Sequence, residues 1–111
     1  MKSKELNEKW RGFTTVLRLE FSVDLPSGSC TLTLELARSD MGKGEVLVVE
    51  FLDVAALSLK DFGGGLTQLL LLHVDDITYK QLDRRNYEVR ELERDSLSFF
   101  CRDFRLLASN T

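Results

Sequence analysis

The sequence predicts an all-β fold: an antiparallel β-sandwich or partly open barrel of about seven strands, preceded by a short N-terminal helix. Three observations carry this expectation. Apolar and polar residues alternate with a period of two through "VLRLEFSVDL" and again through "CTLTLEL". Turn-forming clusters then recur at intervals of roughly ten residues. Finally, one proline and seven glycines punctuate the chain, and no long stretch keeps a helical period.

The elements follow in order. Residues 1–11 hold Leu6 and Trp10 at a spacing that suits a short amphipathic helix or turn, which only packing could hold. In the first strand Leu17, Leu19, Phe21, Val23 and Leu25 share one face, and Arg18, Glu20, Ser22 and Asp24 share the other. "PSGS" at 26–29 is turn chemistry, with Pro26 presetting φ and Gly28 tolerating positive φ. The return strand puts Cys30, Leu32, Leu34 and Leu36 inward and Thr31, Thr33 and Glu35 outward. "RSDMGKGE", residues 38–45, reads as a loop.

"VLVVEFL" is apolar almost throughout, which predicts a central strand buried on both faces. Asp53 interrupts it before "VAALSLKDF" resumes the alternation. "GGG" at 63–65 ends that strand as a flexible turn, and "LTQLLLLHVDDI" predicts a further apolar strand. "TYKQLDRRN" is a polar connection. The closing "LSFFCRDFRLLA" loses its alternation near Arg102 and Asp103, as a β-bulge would cause.

Residues 82–94 admit two readings. At helical spacing Leu82, Val89 and Leu92 share a face, but Asn86 and β-branched Val89 oppose that helix. Asp83 as N-cap would find Asn86 rather than Glu or Gln at its third position. The hairpin reading sets Tyr87 and Val89 on one strand and Leu97, Phe99 and Cys101 on the next, with a turn at Arg94, Asp95 and Ser96. It agrees with the all-β surroundings and is preferred.

The 111 residues predict one domain, 1–111, with 1–11 as an N-terminal segment and 12–108 as the β core. A hydrophobic share of 43% excludes a disordered chain. Fifteen Lys and Arg against eighteen Asp and Glu give a net charge of −3, which disfavours nucleic acid and anionic membranes as partners. "MKSKELNEKWRGF" is too charged for a secretory signal, and Leu69 to Leu72, the longest leucine run, falls far short of the ~20 residues of a membrane span. A cytoplasmic location is the expectation. Cys30 and Cys101 occupy apolar strand positions and read as buried thiols, with a disulfide open to them in an oxidising compartment.

No reaction signature stands out. His73, the single histidine, has no nucleophile motif beside it. Asp75 and Asp76 fit strand-end turn chemistry better than acid–base pairing. Together with Asp53 they lack any recognised calcium-loop spacing. "GGGLTQLLLL" runs into a strand rather than a phosphate-binding helix. No metal, cofactor or catalytic set is therefore expected, and the chain reads as a non-enzyme.

The chemistry that remains is recognition. Tyr79, Arg84, Arg85, Tyr87, Arg90 and Arg94 lie close in sequence, interleaved with Glu88, Glu91, Glu93 and Asp95. Such a mixture serves as sheet decoration or as a protein-recognition face, since Arg and Tyr are enriched at interface hot spots. Trp10 either pins the N-terminal segment to the core or anchors an interface.

One resemblance rests on the C-terminal half. An aromatic-x-Asp-Val strand (Phe51, Asp53, Val54) is followed by an aliphatic-x-Asp-Ile segment (Val74, Asp76, Ile77) and then Gln81 and Leu82. A Tyr-x-Val-x-x-x-Glu hairpin (Tyr87, Val89, Glu93) and a Phe-x-Cys strand (Phe99, Cys101) complete it. The pattern resembles small bacterial all-β proteins, some of them thought to be immunity or accessory proteins near toxin systems. The resemblance implies a non-enzymatic protein-binding module with another protein as partner. The alternatives are a small-ligand or carbohydrate-binding β-sandwich with a pocket at a sheet end, and a homo-oligomer pairing through an edge strand.

Overall fold

The computed structural model describes residues 2–38 and 44–109. They run α1 (Lys2–Lys9), β1 (Phe13–Val23), β2 (Cys30–Arg38), β3 (Val46–Leu52), β4 (Ala55–Leu59), β5 (Leu72–Asp76), β6 (Tyr87–Glu91), β7 (Leu97–Cys101) and β8 (Asp103–Ser109), with a 3-10 turn at Thr78–Lys80. One sheet has the order β1-β2-β3-β8 and the other β4-β7-β6-β5, with every neighbouring pair antiparallel. The result is a sandwich rather than a closed barrel. Of the 38–45 loop, residues 39–43 lie outside the described residues.

Two bent strands join the layers. β3 continues into β4 through Asp53, whose φ of 55° turns the chain, and β7 continues into β8 through Arg102. The Arg102 Nε–H donates to Asp53 Oδ2 at 2.6 Å, and the Arg102 N–H donates to the Leu52 carbonyl at 2.9 Å. The slip expected as a bulge at Arg102 and Asp103 is thus a corner where the strand changes sheets. That corner splits the closing stretch, so eight strands form instead of seven. At the other side, the Val16 N–H donates to Thr67 O at 2.9 Å and the Leu69 N–H to Thr14 O at 2.7 Å, lacing residues 67–69 onto the start of β1.

Alternation puts Leu32, Leu34, Leu36, Leu47, Val49 and Phe51 from the first sheet against Val74, Val89, Leu97, Phe99 and Cys101 from the second. Phe51 sits at the centre, edge-on to Phe99 at 4.9 Å and tilted against Phe104 and Trp10 at 6.1 and 6.4 Å. α1 packs on β5 and buries Leu6, and Trp10 just beyond it joins the core, so the N-terminal segment is pinned as one of its two readings had it. β3 is central in its sheet but buried on one face only: Val46, Val48 and Leu52 on the other are half-buried. The sheet's second face has no layer above it among the described residues, and hydrophobic side chains there tolerate partial exposure.

Two apolar readings need correction. "LTQLLLLHVDDI" is a strand only over Leu72–Asp76. Before it Leu69 is buried, while Leu66, Leu70 and Leu71 are exposed in an irregular segment. In β1, Leu19 packs on the core, but Leu17, Phe21 and Val23 are exposed, as is Leu25 in the turn that follows. Phe21 and Val23 stand opposite Leu32 and Cys30, hence on the core side of the sheet. The second sheet does not reach far enough to cover them.

Candidate protein-interaction surface

The 87–101 segment is a hairpin. Tyr87, Glu88, Val89 and Arg90 pair with Cys101, Phe100, Phe99 and Ser98, and Asp95 adopts a φ of 55° in the connecting turn. Strict alternation therefore divides its residues. Val89 points into the core with Glu91, while Glu88 and Arg90 point out beside Asp75 and His73 of β5.

Glu91 is the unexpected member. Only 1% exposed, its carboxylate accepts from the backbone N–H groups of Leu71 (3.2 Å), Glu93 (3.0 Å), Arg94 (2.8 Å) and Ser96 (3.4 Å), and from Ser96 Oγ (3.2 Å). Burial pushes its pKa up, but these donors outweigh burial and hold it below the ordinary glutamate value. The charge is structural: it folds the hairpin tip around itself and ties Leu71 to it. The exposed Leu70, Leu71 and Leu92 lie at this tied end, and Leu66 and Leu70 line a shallow hollow there with Lys60, Asp61 and Arg94. Apolar patches rimmed by charge are characteristic of interaction sites.

The six residues singled out from sequence spread along the second sheet. Tyr79, 75% exposed, stands on the 3-10 turn, at whose start Asp76 accepts from the Thr78 N–H at 3.0 Å and its hydroxyl at 2.6 Å. These bonds lower the Asp76 pKa. Arg84 takes a φ of 58° and lines a hollow with Arg85 beside the 27–30 turn. The Arg85 guanidinium lies over the Phe100 ring at 4.8 Å, on the outer face. Arg90 lies near the end of β6, and Arg94 belongs to the tip just beyond it. Tyr87 is half-buried, edge-on to Phe104 at 4.8 Å, and burial raises its pKa. The structure thus brings Arg84 and Arg85 together, sets Arg90 and Arg94 in a line along the hairpin, and turns Tyr87 toward the core side.

Sequence reasoning missed the tip leucines and the buried role of Glu91. One signal was present for each: a four-leucine run exceeds what alternation can bury, and Glu91 shares parity with Tyr87 and Val89.

Other chemistry is not assembled. His73 Nε2 is 3.6 Å from Asp75 Oδ1, and among the described residues no hydroxyl or thiol hydrogen-bonds to it. Asp53 is engaged by Arg102 and Asp76 by Thr78, and no three His, Cys, Asp or Glu side chains among the described residues gather as metal ligands. Cys30 and Cys101 are free thiols, the first half-buried and the second buried, and burial pushes Cys101 up to about 12. At neutral pH such a thiol is a hydrophobe, not a nucleophile. No helix among the described residues is long and apolar enough to cross a membrane.

The described residues form a sandwich with mixed charge on one sheet and exposed leucines at one end of it. The chain belongs to the immunity protein PIM8 family, whose model matches residues 3–107. The match extends the resemblance seen in the C-terminal half to nearly the whole chain. No curated protein and no solved structure matches it.

Proposed function

We propose that this protein is a non-enzymatic bacterial immunity protein that acts in the cytoplasm by binding a toxin. The observation that carries this reading is membership of an immunity protein family over residues 3–107. The surface supports it. Arg84, Arg85 and Arg90 present cations along one sheet, Tyr79 offers an exposed aromatic, and the leucines around Arg94 supply apolar area at one end. Mixed charge of this kind steers and orients a protein partner, while buried apolar anchors hold it.

A small-ligand reading gains little. One mainly apolar hollow, about 320 Å³ between α1 and β8, is an open groove whose polar lining is Lys2, Glu5, Lys9 and Arg105, all exposed. Ligand sites of that size are deeper and carry convergent polar groups.

The test is capture of the tagged protein from its source cell at near-physiological salt, followed by mass spectrometry. One stoichiometric toxin-like partner is the expected result. Charge reversal at Arg85 and Arg90 should then weaken capture without unfolding the protein. A bait that returns no partner overturns the reading, and capture unchanged by both reversals removes the proposed face.

A further inference from the structure

We propose that residues Arg18–Asp24 of β1 form a self-association edge, pairing antiparallel with the same stretch of a second copy in register about Phe21. The four sheet edges are not treated alike. An open strand edge is a template for another chain, and proteins blunt such edges with bulges, short strands or covers.

Three edges here are blunted. On β5, the Asn7 side chain acts as a substitute strand: its amide donates to Val74 O at 2.9 Å and its carbonyl accepts from the Val74 N–H at 2.8 Å. On β8, the register slips opposite Val48 and Val49, and Lys2 of α1 reaches Asp103 and the Phe104 ring. β4 is five residues long, with Ala56 at a φ of 56° and a broken register.

β1 is treated differently along its length. Residues 14–16 are covered by 67–69, and the ladder then slips between Val16 and Arg18. Beyond the slip the register with β2 is unbroken to Val23, and among the described residues nothing pairs with the outer side. This stretch carries no proline. Its core-side residues Phe21 and Val23 are 44% and 54% exposed, with Leu25 at 80% beside them.

The edge is complementary to itself in one register. The Asp24 N–H donates to Ser29 O at 2.9 Å, so Asp24, Ser22, Glu20 and Arg18 bond toward β2. By alternation the N–H and C=O groups of Leu19, Phe21 and Val23 point outward. A second copy must match outward groups with outward groups, which restricts the two-fold centre to a few residues. Centring on Leu19 would need residues 14–16, already occupied. Centring on Glu20 sets it against its own copy, and centring on Ser22 sets Glu20 against Asp24. Centring on Phe21 pairs Arg18 with Asp24, Leu19 with Val23, Glu20 with Ser22 and Phe21 with itself. That register uses the whole open stretch, and the only charges it opposes are opposite in sign. The exposed apolar residues of both copies then share one face of a continuous sheet. This pairing stands independently of toxin binding.

The test uses the full chain in sedimentation velocity from about 1 to about 200 µM, where a dimer shows as a concentration-dependent shift. A monomer–dimer equilibrium is expected, and Phe21→Lys should weaken it at least about tenfold by removing an aromatic pair and opposing like charges. Circular dichroism confirms that the variant is folded. A Cys30→Ser background reads the register. Phe21→Cys should crosslink to its copy on mild oxidation, because directly opposed Cα atoms lie about 5.5 Å apart. Leu19→Cys should not, being displaced from its copy by about four residues, or ~13 Å. A monomer at every concentration, or a dimer indifferent to Phe21→Lys, overturns the proposal. Equal crosslinking at 19 and 21 overturns the register. A monomer whose Phe21→Lys form loses its captured protein partner assigns the edge to that partner and overturns the dimer.

Discussion

The β5 and β1 edges present the same problem and receive opposite treatment. On β5 one asparagine from α1 satisfies both the N–H and the C=O of Val74, and the helix that carries it is anchored by Leu6 and Trp10. On β1 the chain closes residues 14–16 with its own 67–69 segment and leaves 18–24 open, flanked by exposed Phe21 and Val23. The difference teaches that openness here follows from local devices, each traceable to a few side chains. Removing a device should cost stability, whereas altering the open stretch should not.

Among the devices that close the edges, the largest effect is expected at Glu91. It does not touch β1, yet it fixes Leu71 against the hairpin tip and so positions the segment that covers residues 14–16. Glu91→Ala leaves four backbone N–H groups without their acceptor, which should lower stability by about 2–4 kcal/mol in urea denaturation. If this variant also gains self-association, the covered half of β1 has been opened. A loss below about 0.5 kcal/mol would mean that water replaces the carboxylate and that the tip is not organised by it.

Asn7→Ala comes next. It removes two hydrogen bonds to Val74 while leaving Leu6 and Trp10 packed, for an expected loss of about 1–2 kcal/mol. The same variant bares β5, so light scattering should show association that wild-type protein with a blocked β1 does not. Stability loss without new association would mean that α1 itself shields the edge and the amide adds only binding energy.

Acid provides a gentler version of the Glu91 test. Its folded pKa lies below its ordinary value, as does that of Asp103 beside Lys2. A depressed folded pKa means the unfolded state takes up protons first, so the contribution is full above the ordinary values of 4.5 and 3.8 and is lost as pH falls through the folded ones. Denaturation midpoints should therefore be flat above about pH 5.5 and fall below about pH 4.5. Glu91→Gln should shallow that acid limb. An unchanged limb would assign it to other carboxylates.

How much of this was legible in the sequence depends on which forces decided each element. The hairpins at 17–36 and 87–101 were legible because period-two alternation and turn residues are local signals, and the local and global choices agree there. The corner at Arg102 looked like a bulge because both disturb alternation in the same way. What distinguishes them is the placement of β7 and β8 in different sheets and the contacts of Arg102 with Leu52 and Asp53, about fifty residues away. The four-leucine run 69–72 misled because apolarity reports a preference for burial, not the space available for it. In the proposed recognition surface, Arg84, Arg85, Arg90 and Arg94 were found as types in a segment. Their spread along the sheet, and the covering of β5 by Asn7 across 67 residues, are tertiary facts with no local trace.

The smallest expected stability effect is the most discriminating for the comparison between the edges. Phe21→Lys and Val23→Lys change side chains that are about half exposed and that already sit beyond the second sheet. Little apolar area is lost from the monomer, and a lysine at either site reaches water directly. Exposed substitutions of this kind move stability by about 0.5 kcal/mol or less. Measured at a concentration where the protein is monomeric, the two variants should therefore melt within about 2–4 °C of wild type, the shift that such a change produces in a domain of this size. Leu32→Ala and Cys30→Ala, on the partner strand directly opposite, offer the internal contrast. Leu32 is fully buried and its truncation should cost about 2–5 kcal/mol, whereas half-buried Cys30 should cost much less. A steep gradient along β2 from Leu32 to Cys30, matched by neutrality at Phe21 and Val23, would place the end of the core between these two rungs. A large loss at Phe21→Lys would instead show that the open stretch is held within the monomer, and the asymmetry between the two edges would disappear.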